Sequence, residues 1–247
     1  FGMSLTATLH QFSDDVKLTN CTFNNCTSKE GGALYFMDGD QAGDEETVIE
    51  YCTFDGCVGS TGSAIFCCSY TFTLSHSIFC NSKPTGKTTE TSNVESYIYA
   101  KFDEPGITPV ITNCTFYNNE QNIEFYSKGT NIKDDKMNTI SFVKCNFSKN
   151  NVESNGADYV INLEYIHSQL VTFDNCLFED NGGRCISQES DIICSTSIKS
   201  CTFNNNHGGS GCVIYATSIA NDNQPFTTVE DCTFTNNKAE YSWQPRG

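Results

Sequence analysis

Apolar residues return at fixed offsets from a recurring Cys-x-Phe triplet, and the alternation around it is that of short strands. The triplet stands at Cys21-Thr22-Phe23, Cys52-Thr53-Phe54, Cys114-Thr115-Phe116, Cys145-Asn146-Phe147, Cys176-Leu177-Phe178, Cys201-Thr202-Phe203 and Cys232-Thr233-Phe234, with a degenerate copy at Ser77-Ile78-Phe79. Successive copies lie 31, 25, 37, 31, 31, 25 and 31 residues apart, steps of six that read as one loop of variable length on a constant unit. Three positions before the Cys stands Leu18, Ile49, Leu74, Ile111, Phe142, Phe173, Ile198 or Val229. Two positions earlier the residues are mostly apolar or Thr. A period of two marks a strand with one buried face. The phase then slips by one residue so that Cys and Phe also face inward, which two short strands separated by a bend explain.

Three residues after each Phe comes a column of Cys26, Cys57, Ser82, Asn119, Asn150, Asn181, Asn206 and Asn237. A small polar side chain repeated at one corner can bond the backbone of the bend and its own copies in adjacent coils. In several units a Gly-rich stretch and a third apolar strand follow, containing Leu34-Tyr35-Phe36, Ala64-Ile65-Phe66, Tyr159-Val160-Ile161 and Val213-Ile214-Tyr215. Asn, Thr, Gly, Cys and β-branched residues dominate, and these are weak helix formers. The unit is too short for a propeller blade and lacks leucine-rich spacing. The expected fold is all-β: a right-handed parallel β-helix, a three-sided solenoid of about eight rungs, stacked at ~4.8 Å. It is expected to run through 1–247 as a single domain and to be a segment of a longer protein.

Phe-x-x-Asn at Phe116/Asn119, Phe147/Asn150, Phe178/Asn181, Phe203/Asn206 and Phe234/Asn237, with Gly-Gly-Ala-Leu at Gly31 to Leu34, resembles the repeats of the polymorphic outer membrane proteins (Pmp) of chlamydiae. It is similar also to Cys- and Asn-rich β-helix families of protists such as trichomonads. The first two units carry Cys where the motif has Asn, and one unit keeps Gly-Gly-Ala. The resemblance implies a surface-displayed adhesin or passenger-type β-helix without catalytic residues.

Composition narrows the function classes. Thirty Asp and Glu against 14 Lys and Arg give a net charge of −16. Phosphate recognition needs clustered cations, so nucleic acid is not an expected partner. Cations or basic partners fit better. Fifteen Cys point to an oxidising compartment, and the odd count leaves one thiol outside any set of intrachain pairs. The expected location is extracellular or on a cell surface.

The inward Cys column reads either as a ladder of packed thiols or as disulfides between rungs, since stacked Cα atoms lie within disulfide range. Candidates for bridging are Cys26 with Cys57 and Cys185 with Cys212; Cys67, Cys68, Cys80 and Cys194 lie off the column. No CxxC…CxxC pattern marks zinc. His10, His76, His167 and His207 show no metal spacing, so no metal or cofactor site is assigned. The acidic segment 38–46 has the composition of a calcium loop but not the ligand order of an EF-hand. A polysaccharide lyase or hydrolase is the enzymatic rival on this fold, yet Asp14-Asp15 and Asp134-Asp135 fall in expected loops. Glu50, Asp174 and Glu230 share one outward column on distant rungs, and paired carboxylate chemistry needs ~5–9 Å. Arg184 and Arg246 are the arginines on offer for lyase chemistry.

Asn-x-Ser/Thr sequons stand at Asn20, Asn25, Asn113 and Asn146, and Asn20 and Asn113, preceding an inward Cys, should point outward. A Thr-, Ser-, Pro- and Gly-rich insertion is expected from about 83 to 109. Variable segments are expected to leave each rung at one corner and to line one edge, where solenoids bind. The expected function is an adhesive or structural module, non-catalytic, that binds a host or neighbouring-cell surface protein or glycan along that edge. A filament or matrix subunit stacking end to end is the further alternative.

Overall fold

The computed structural model describes residues 16–37, 46–68, 71–84, 96–101, 108–126, 138–152, 159–164, 169–190, 194–209, 211–218 and 227–239. They form a parallel β-helix of eight rungs, and every strand pair is parallel. Sheet 1 has eight strands from Val16–Thr19 to Thr227–Glu230, and sheet 2 eight from Thr22–Asn24 to Thr233–Thr235, each stacked in chain order. Sheet 3 has seven, from Leu34–Met37 to Ile214–Ser218. The register confirms the repeat: Leu18 pairs with Ile49, Ile49 with Leu74, and Phe116 with Phe147.

The phase slip has a backbone cause. Asn20, Tyr51, His76, Asn113, Lys144, Asn175, Ser200 and Asp231, each preceding the Cys position, all have positive φ, between 49° and 56°. A second corner repeats this before the Asn position, at Asn25, Gly56, Asn81, Asn118, Lys149, Asp180, Asn205 and Asn236. One left-handed residue turns the chain sharply, and the side chain on either side of it can face the core. Asn tolerates that conformation better than most residues and fills three of these eight positions.

Inside, Phe23, Phe54, Phe79, Phe116, Phe147, Phe178, Phe203 and Phe234 form one file. Successive ring centroids lie 4.8, 4.5, 5.1, 4.8, 4.6, 4.8 and 5.0 Å apart, with every pair stacked. The second corner holds a buried amide ladder. Asn150 Nδ2 donates to Asn181 Oδ1 at 3.0 Å and to Phe116 O at 3.1 Å, while its Oδ1 accepts from Asn119 N and Nδ2 at 3.1 and 3.0 Å. The same pattern carries through Asn181, Asn206 and Asn237. Burial is affordable because each amide is bonded on both sides along the stack.

One expectation is extended and one is corrected. The third strand is present in seven rungs, including Asn122–Tyr126, where no Gly-rich stretch announces it. The segment 83–109 is not one insertion, for it contains the sheet 3 strand Ser96–Lys101, whose Tyr97, Ile98 and Ala100 are buried. Its six residues pack because neighbouring rungs supply pairing on both sides, a cause that local composition does not display. The sheet register shifts beside it, between Asn122 and Ile123.

Candidate binding face

The coil is constant on two sides and variable around the third. From sheet 1 to sheet 2 every rung uses one left-handed residue and the Cys or Ser position. Both connections to sheet 3 change length: Asn119 stands four residues before the inward Ile123 and Ser82 sixteen before Ile98, while Ile65 stands nine before the inward Leu74 and Ile123 nineteen before Phe142. Variable segments therefore flank sheet 3 at both ends of its strands, where one edge was expected.

The outer face of sheet 3 follows from strand alternation. Leu34 and Phe36, Ile123 and Phe125, and Ile161 and Leu163 face the core. The residues between them line up by register in one outer column: Tyr35, Phe66, Tyr99, Glu124, Asn162, Ser187 and Tyr215. Tyr35, Phe66 and Tyr99 stack at 4.8 and 5.3 Å. Because they stack along the coil axis, they offer edges rather than open faces to a ligand. At the other end, the Arg184 guanidinium lies 4.1 Å from the Tyr215 ring centroid and 5.5 Å from that of Tyr159, an arrangement of cation and ring quadrupole that is attractive.

Between these groups lies a polar centre. Glu124 is 0% exposed although it belongs to the outer column. Its Oε2 accepts from Asn122 Nδ2 at 3.2 Å and Asn162 Nδ2 at 2.9 Å. Taking a carboxylate out of water is costly, and the two amides offset part of that cost. Ser187 Oγ and Asn122 Oδ1, also buried, have no hydrogen-bond partner among the described residues. Sequence reading missed Glu124, Asn122 and Asn162, because a polar residue at an outward strand position looks like any solvated one.

The residues singled out by sequence fall elsewhere. Asn20, Asn25 and Asn113 are exposed corner residues with positive φ, and Asn113 Nδ2 lies 3.4 Å from His76 Nε2. Asn146 is half-buried within a sheet 2 strand, and its Oδ1 is buried. His76 stacks on Tyr51 at 4.8 Å, and His207 sits in the short strand His207–Gly208. His10, His167, Asp14, Asp15, Asp134, Asp135, Arg246 and the segment 38–45 lie outside the described residues. Glu50 forms a surface ion pair with Lys17 at 3.3 Å, and Lys199 stands in register between Asp174 and Glu230. No group of three or more metal-ligating His, Cys, Asp or Glu occurs among the described residues.

The 14 described cysteines whose side chains are placed are thiols. From Cys52 onward along the Cys column each S–H is shared between two carbonyls. Cys114 Sγ lies 3.4 Å from Thr112 O and 3.6 Å from Leu74 O, Cys145 Sγ 3.5 Å from Val143 O and 3.3 Å from Ile111 O. Ser77 fills the same role in its rung, donating to Ser75 O at 2.9 Å and accepting from Cys52 N at 3.0 Å. The column thus seals a bend by hydrogen bonding. Burial pushes Cys114 up to about 12, and contact with Cys145 together with burial takes Cys176 to about 12. Such thiols are protonated and inert at neutral pH. Cys185 and Cys212 are buried neighbours on adjacent rungs, with Cys185 N donating to Cys212 O at 3.0 Å, and burial raises both thiols. Compared with family models, curated proteins and solved structures, the chain matches none.

Proposed function

We propose that this β-helix is an adhesive or structural module of the cell exterior, non-catalytic, that meets its partners along the outer face of sheet 3. The observation that carries this reading is the placement of variation. Two sides of the coil keep one geometry through eight rungs, whereas connections of changing length surround the third. Recognition commonly resides in variable segments held by a rigid scaffold. That same face carries the half-buried Tyr35 and the Arg184 pair with Tyr159 and Tyr215. The cysteine content, the exposed sequons at Asn20, Asn25 and Asn113, and the resemblance to surface-displayed Pmp repeats support an extracellular glycoprotein. Proteins or glycans of a host or neighbouring cell are the partners that fit.

The test is binding of the chain to immobilised glycan and extracellular-matrix protein panels, with Tyr35→Ala and Tyr215→Ala on sheet 3 and Thr112→Ala and Thr172→Ala on the outer face of sheet 1. Loss of tenfold or more with the first pair and none with the second is expected. Equal loss from both pairs, or no binding to either panel, would sink the reading. A filament or matrix subunit is the second reading, favoured by Phe234, whose ring is 49% exposed on its rung. Concentration-dependent rods in sedimentation and negative-stain microscopy are its expected sign.

A further inference from the structure

The second corner changes chemistry along the coil. From Asn119 onward it is the amide ladder; before it stand Cys26, Cys57 and then Ser82. The amide ladder shows what this corner does to side chains. Main chains of neighbouring rungs lie ~4.8 Å apart, and the Phe rings keep that spacing, at 4.5 to 5.1 Å. The corner side chains instead lean along the axis until Nδ2 of one rung is 2.9 to 3.0 Å from Oδ1 of the next. In-register side chains on a flat strand point the same way and resist cross-linking, whereas at this corner each reaches towards its copy.

Cys26 and Cys57 occupy that geometry. Their Cα positions are joined by the same rung-to-rung pattern, with Val58 N donating to Cys26 O at 2.9 Å as Asn151 N does to Asn119 O at 2.8 Å. The two side chains are neighbours, and both are buried, at 2% and 1% exposure. Their rungs also match, since the inward Leu34 and Ile65 follow Cys26 and Cys57 at the same distance along the chain and pair in register. In the Cys column the S–H groups are directed at strand-end carbonyls on two rungs.

We infer that Cys26 and Cys57 are a disulfide site, a covalent link in place of the amide pair that joins later rungs. The oxidant is a small-molecule disulfide such as oxidised glutathione. One cysteine thiolate attacks a glutathione sulfur and expels the first glutathione thiolate. The second cysteine then attacks the protein sulfur of the mixed disulfide and expels the second. Two thiols lose two protons and two electrons, and the oxidant is reduced to two glutathione thiols. With both sulfurs buried, the step belongs to the closing of the first two rungs during folding. Staples of this kind stabilise chiefly by restricting the unfolded chain. The assignment does not depend on the adhesive reading.

The experiment refolds the full chain in a buffer of reduced and oxidised glutathione, alkylates it under denaturing conditions without reductant, and maps the peptides by mass spectrometry. The expected product is a linked peptide pair containing Cys26 and Cys57, with Cys114, Cys145 and Cys176 recovered as alkylated thiols. The linked protein should melt about 5–10 °C above the reduced protein, and Cys57→Ser should abolish that difference while still folding, as Ser82 does at the next rung. Recovery of both Cys26 and Cys57 as alkylated thiols from the folded, oxidised protein overturns the inference. So does capture of either sulfur by another cysteine, or a shift in melting that survives Cys57→Ser.

Discussion

At the scale of single residues, repeated side chains act through their copies. The Asn150 side chain makes four hydrogen bonds, all to groups in the adjacent rungs. Asn150→Ala strips them and leaves Asn119 and the Phe116 carbonyl unsatisfied in a buried corner. A loss of about 2–4 kcal/mol is expected in urea denaturation, with a smaller loss at Asn237, which is half-buried. The thiols give a pH dependence. Cys114 and Cys176 stand at about 12 in the folded chain against an ordinary value of 9.0, so both states hold the proton below pH 9. Between 9 and 12 the unfolded chain releases it and the folded chain does not, so stability falls as pH rises, by up to about 1.4 kcal/mol per thiol per pH unit. The melting temperature should drop more steeply from pH 8.5 to 10.5 in the native chain than in Cys114→Ser, and equal slopes would refute the thiol assignment. The Phe file and Asn corner were legible in the sequence because each residue meets its own kind. Glu124 was not, because a polar residue at an outward strand position reads as solvated.

At the scale of elements, the connections decide where strands go. The turn from sheet 2 to sheet 3 in the first rung passes so close to the second that a Cβ on Gly32 would lie 2.0 Å from Ser63 O. That neighbour is backbone and cannot move aside cheaply. Gly32→Ala is expected to cost more than about 2 kcal/mol, seen as a lower melting temperature, and an unchanged value would mean that the rung spacing there is wrong. Strands of sheets 1 and 2 could be read from the sequence, since a constant offset links Leu18 to Phe23 and Ile198 to Phe203. Sheet 3 was legible only where glycines introduce it. In Ser96–Lys101 the alternation is broken, with Ser96, Tyr97 and Ile98 all buried beside the register shift at Asn122.

At the scale of the whole molecule, a coil in which each rung touches its neighbours has stability that sums along the stack. Interior rungs have two neighbours, and the last described rung leaves Phe234 49% and Val229 44% exposed. Phe147→Ala, at a ring with 0% exposure between Phe116 and Phe178, should cost about 3–5 kcal/mol. Phe234→Ala should cost less than half as much, and amide exchange should be slowest in the rungs of Phe116 to Phe178. Equal losses at the two sites would contradict rung-by-rung stacking.

The sequence by itself determined the coil, the two-strand bend and the inward files, because like residues recur at fixed offsets and the physics of each rung is local. Only the tertiary structure decided that sheet 3 runs through seven rungs, that variable connections flank it on both sides, and that Glu124 is buried on its outer face. Those facts depend on contacts between rungs whose connecting lengths differ, and no periodic pattern within the chain encodes such contacts.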